Sequence, residues 1–78
     1  MRSGSSSMAL ANLARRAGRT GDFVLEGRAL NGVRAMVLSS ELPPQERLFA
    51  LQSLEYLLPA AELSALRELL TSALEEDH

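Results

Sequence analysis

Residues 22–39 read DFVLEGRALNGVRAMVLS, and this stretch decides the fold class. At 100° per residue, Phe23, Leu25, Ala29, Leu30, Val33, Met36 and Val37 fall within one arc of about 160°. Arg28, Asn31, Arg34 and Ala35 lie opposite. Asp22 is a good N-cap, because its carboxylate can accept from an orphan backbone N–H of the first turn, and Glu26 suits the positive helix end. The spacing predicts an amphipathic helix from about Phe23 to Ser39 with one buried face. Gly27 and Gly32 weaken it by up to about 1 kcal/mol each relative to Ala. They allow a second helix to approach closely, or equally mark looser structure near the start.

Beyond that helix, Ser39-Ser40-Glu41-Leu42-Pro43-Pro44 reads as a turn. A Pro-Pro step cannot lie inside a helix, but Pro44 suits the first helical position. The next helix is expected from about Pro44 to Leu58, with Leu48, Ala50, Leu51, Leu54, Leu57 and Leu58 on one broad face. Phe49 and Tyr56 are seven apart and would share a second face with Gln52 and Ser53. Either an aromatic there covers a neighbouring helix, or the two form a partner surface, where aromatics are enriched. Pro59 breaks the chain again and suits the first position of a further helix, Ala60 to about Glu75. Leu63, Leu66, Leu70 and Ala73 form its stripe, widened by Leu69 and Leu74. Glu75-Glu76-Asp77 places like charges at the negative helix end, which is locally unfavourable.

Before residue 22, Met8–Ala17 has the composition of a short helix, stopped by Gly18 and Gly21. Residues 1–7 form a Ser/Gly stretch expected to be disordered, and either belong to a natural tail or precede a start at Met8. Residues 1–21 thus read as a flexible basic arm, and 22–78 as the helical domain. Arg15, Arg16 and Arg19 either reach phosphates or an acidic partner or decorate a frayed terminus.

The 78 residues amount to one domain at most. Leucine supplies 16 of them, Trp is absent and aromatics are 4%, a composition that favours packed helices over strands. All 8 cationic residues are arginines. Residues 1–34 carry six of them and two acids, while 35–78 carry two and eight acids, an asymmetry that can steer partners or favour head-to-tail contacts. No apolar run approaches ~18 residues, so no membrane insertion is expected, and without a secretory signal the simplest location is cytoplasmic.

Catalysis needs a positioned nucleophile, base or metal. With no Cys and only His78, the chain offers no metal set, no activated serine and no phosphate-binding glycine loop. No enzyme activity, cofactor or small-molecule substrate is expected. Glu55, Glu62 and Glu68 read as solvated helix faces. Nucleic-acid contact would fall to Arg15, Arg16, Arg19, Arg28 and Arg34, without aromatics interleaved for stacking.

Association is the better reading. Apolar faces this wide exceed what a short helical chain readily covers, and two-fold dimers are the commonest oligomer. The expected fold class is all-α, a bundle of two to three main helices completed by homodimerisation. The dimer interface would use Leu30, Val33, Met36, Val37, Leu51, Leu54, Leu66 and Leu70, leaving Phe49 and Tyr56 for a partner.

The segment order resembles the AriR/YmgB family of short enterobacterial regulators of biofilm formation and acid resistance. The resemblance is carried by Ala9-Leu10-Ala11, Val24-Leu25, Leu30, Met36-Val37-Leu38-Ser39, Leu51-Gln52-Ser53-Leu54-Glu55 and Glu76-Asp77. It implies a helical homodimer, a non-enzymatic connector to a two-component phosphorelay. It also implies possible association with DNA or nucleoid proteins. Leu42-Pro43-Pro44 in place of a polar turn, and the lack of Lys, depart from the family pattern. A helical subunit or chaperone of a larger assembly is a third reading.

Overall fold

The computed structural model describes residues 3–76, and the side chains of residues 7–76. The fold is all-α, with four helices: α1 (Ser3–Thr20), α2 (Phe23–Leu38), α3 (Pro44–Ser53) and α4 (Ala60–Glu76). Helix α2 forms where its stretch requires, and Asp22 caps it by accepting from the Leu25 N–H at 3.2 Å.

The N-terminal segment differs most from expectation. Residues 3–20 form an 18-residue helix instead of a flexible arm. Serines and glycine give this stretch little helix propensity, but tertiary packing overrides propensity where an element finds a partner. Ser7, Ala11, Ala14 and Ala17 are all buried, and they recur three or four residues apart. Small side chains on one face let α1 lie close against α2. A Cβ added to Gly32 would meet Leu10 Cδ1 at 3.1 Å, and one on Gly18 would meet Glu26 Oε2 at 2.6 Å.

The α1–α2 connection is two residues long. Gly21 takes φ +83°, the left-handed region that glycine enters without a Cβ penalty. The Asp22 N–H then donates to Ala17 O at 2.9 Å and the Gly21 N–H to Gly18 O at 3.3 Å. This is the Schellman arrangement, which satisfies carbonyls the helix end leaves open. Asp22 closes one helix with its backbone and opens the next with its side chain.

Helix α3 begins at Pro44, as its proline requires, but ends at Ser53 instead of continuing to Leu58. The chain tightens there: Leu54 N–H donates to Leu51 O, Glu55 N–H to Gln52 O and Leu57 N–H to Leu54 O, each at three-residue spacing. Pro59 explains this, since its ring would clash with the carbonyl four residues back and disfavours helix at Leu58. Pro59 itself sits just before α4, and its carbonyl accepts from the Leu63 N–H.

Val33, Val37, Ala50, Leu51, Leu54, Leu66 and Leu70 form the core. Leu10, Leu30, Met36, Leu58, Leu63 and Leu74 pack around it half-buried. The interface expected of a second copy is therefore largely consumed within one chain. Val33, Val37, Leu51, Leu54, Leu66 and Leu70 are buried by their own α2, α3 and α4, and Leu30 and Met36 line the same core. From α1, Leu10 packs at the edge of this core.

Helix α1 packs on α2 and α3, and so does α4, but α1 and α4 do not touch each other among the described residues. The two central helices are flanked on either side. The molecule measures 43 × 32 × 16 Å. Its radius of gyration is 12.4 Å, above the roughly 11.5 Å of a compact chain this long.

Candidate interaction surface

Three kinds of surface emerge from this frame. The first is apolar. Phe23 and Val24, expected or adjacent to the core stripe, are 70% and 73% exposed. They occupy the first turn of α2, immediately after α1 has ended in the Gly21 turn. Tyr56 is 91% exposed. It lies in the turns after α3, so it does not share a helical face with Phe49 as the seven-residue spacing implied. Leu48, Phe49 and Leu69 are also exposed, although Leu48 and Leu69 were expected to widen buried stripes.

The second surface is basic. Asn12, Arg15, Arg16 and Arg19 follow spacing of three, one and three along α1, and line an open hollow of about 480 Å³. They project opposite the Ser7, Ala11, Ala14 and Ala17 seam, and all four are exposed. Helix α1 contains no acidic residue. The two other arginines proposed for nucleic acid separate. Arg28 is exposed. Arg34 is occupied: its Nε donates to Glu62 Oε2 of α4 and its Nη1 to Asn31 Oδ1 at 2.7 Å. That ion pair ties α2 to α4 and takes Arg34 out of the basic set.

The third surface is acidic. Helix α4 carries Glu62, Glu68, Glu75 and Glu76 against one arginine, Arg67. Among the described residues the Arg34–Glu62 contact is the one ion pair. Glu75 and Glu76 are exposed at the end of α4, where the helix dipole is negative and no basic residue occupies the last turn.

One charged residue was missed altogether. Arg47 begins the buried stripe Arg47, Ala50, Leu51 and Leu54, and is only 2% exposed. Its Nε donates to Val37 O at 2.8 Å. A cation at the C-terminal end of α2 complements both an open carbonyl and the dipole. The sequence signal was the i, i+3, i+4, i+7 spacing of residue 47 with Ala50, Leu51 and Leu54. Its neighbour Glu46 has a buried Oε1 without a hydrogen-bond partner. It lies in the first turn of α3, whose positive end favours a carboxylate.

Among the described residues no group of three or more His, Asp or Glu side chains is placed to hold a metal ion, and no helix is long and apolar enough to cross a membrane. His78 and Asp77 lie outside the described residues. Compared with protein-family models, curated proteins and solved structures, the chain matches none.

Proposed function

We propose that the chain is a cytoplasmic, non-enzymatic regulatory adaptor that works as a homodimer and docks a signalling protein through its exposed aromatic side chains. One observation carries this reading. The four helices already bury a contiguous core within one chain, yet Phe23, Phe49 and Tyr56 remain outside it. Aromatics that contribute nothing to the core are expensive to expose, and they concentrate at protein interfaces because they cover much area with little entropy loss. The resemblance to the AriR/YmgB family directs the partner to a two-component phosphorelay controlling biofilm formation and acid resistance. The test is a two-hybrid or pull-down assay against phosphorelay sensor domains, with the Phe49→Ser/Tyr56→Ser variant as control. The variant should keep its helical circular dichroism and lose capture. Equal capture by both proteins would remove these aromatics from the surface.

A second reading, nucleic-acid association, is favoured by the exposed Arg15, Arg16 and Arg19 around one hollow. Three phosphate contacts should give a slope of log affinity against log salt near roughly −2.7 on duplex DNA. Binding insensitive to salt would reject it.

A further inference from the structure

The two outer helices of this slab carry opposite charge and never meet. Helix α1 bears Arg15, Arg16 and Arg19 and no acid, a net +3. Helix α4 bears four glutamates and one arginine, a net −3. Among the described residues only Glu62 of these eight groups forms an ion pair, and its partner Arg34 comes from α2. The ends of the two helices are complementary as well. Arg19 stands in the last turn of α1. Glu75 and Glu76 stand in the last turn of α4, where their own dipole disfavours them and a cation would be favoured.

We propose that a second copy of this chain supplies the missing contacts, so that the basic face of α1 in one copy lies on the acidic face of α4 in the other, twice, about a two-fold axis. Charge complementarity selects this occupant: Arg15, Arg16 and Arg19 on one copy meet Glu68, Glu75 and Glu76 on the other, three glutamates with no ion-pair partner among the described residues. A two-fold rotation pairs α1 of each copy with α4 of the other and satisfies both faces in one closed pair, whereas an open chain would leave one face of each kind unpaired at its ends. An isologous contact of this kind is the commonest symmetry of small oligomers. The proposal rests on the dimeric reading above, but not on the identity of any signalling partner. It replaces the leucine faces, which one chain has already buried, with charged helix faces that it has not. Exposed charge pairs are screened over about 8 Å at physiological ionic strength, so the association should weaken with salt.

A charge-swap series read by light scattering tests it. Wild-type protein at low salt should show twice the 8.5 kDa chain mass, falling toward the single-chain mass as salt rises. An Arg15→Glu/Arg16→Glu/Arg19→Glu variant, with two acidic outer helices, should be monomeric. A Glu68→Arg/Glu75→Arg/Glu76→Arg variant, with two basic ones, should be monomeric too. Mixed in equal amounts, the two should recover the dimer mass, because both contacts of the mixed pair are again opposite in sign. All six positions are exposed, and unchanged circular dichroism confirms that each variant folds. A wild-type dimer that both variants retain would overturn this interface and leave the homodimer standing. A monomer at every wild-type concentration would overturn both, and binding of duplex DNA by that monomer, lost in the arginine variant, would assign the α1 face to nucleic acid. Masses growing beyond two copies would overturn the closed pair.

Discussion

The α1–α2 pair and the α3–α4 half show two ways to hold helices together with few residues. The first is a seam of small side chains. Ser7, Ala11, Ala14 and Ala17 are the buried side chains of α1, which packs on α2 and α3, and a two-residue turn with one left-handed glycine sets the approach to α2. The second is filled by volume. Leu51, Leu54, Leu66 and Leu70 interdigitate below a longer proline-broken connection, and a buried arginine braces the end of α2. The seam depends on what is absent from each side chain, and the leucine half on what is present. The two should therefore fail under opposite substitutions.

Truncation should hit the leucine half hardest. Leu54 is fully buried. Leu54→Ala removes its contacts and leaves a cavity, so it should lower stability by about 2–5 kcal/mol. In so small a domain that loss is expected to unfold most of the protein, read as a collapsed urea midpoint. Enlargement should break the seam. Ala14, on the packed face of α1, is 1% exposed, and Ala14→Leu should destabilise by about 1–3 kcal/mol through overpacking. The same change at exposed Ala35 should do nearly nothing, and equal effects at the two sites would deny the seam.

Smaller effects sharpen the role of the backbone. Gly21 has open space around it but a φ of +83°. Gly21→Ala should therefore cost about 1–2 kcal/mol from conformation alone. Gly27 also has nothing within 4 Å of an added Cβ, and it lies in regular helix. Gly27→Ala should raise stability by about 0.5–1 kcal/mol. Opposite signs at two equally uncrowded glycines, measured by chemical denaturation, would separate backbone geometry from space. Matching signs would remove the Gly21 turn from the account of the hairpin.

Much of the leucine half was legible in the sequence, because large apolar residues at helical spacing report burial directly. The stripes through Val33 and Val37, and through Leu66 and Leu70, lie where periodicity placed them. The seam was not legible. Serine and alanine are permissive residues whose burial depends on a partner surface elsewhere in the chain, so residues 3–7 looked like a tail. Periodicity also overreached on faces that no neighbour covers. Phe23, Leu48 and Leu69 belong to apolar arcs by angle but face solvent, because no neighbouring helix extends over them. Among candidate surface residues, Arg15, Arg16 and Arg19 share one face, whereas Phe49 and Tyr56 are separated by the early end of α3.

The sequence by itself determined the all-α class, the Asp22 cap, the proline breaks and the opposite charge of the two ends, since each follows from side-chain chemistry within a few residues. Tertiary structure alone decided that α1 joins the fold, that Arg47 is buried on the end of α2, and that Leu51, Leu54, Leu66 and Leu70 are buried within one chain. Those outcomes turn on which surfaces meet across long stretches of chain. Helix packing depends on the shape and distance of the partner face, and local periodicity carries no information about either.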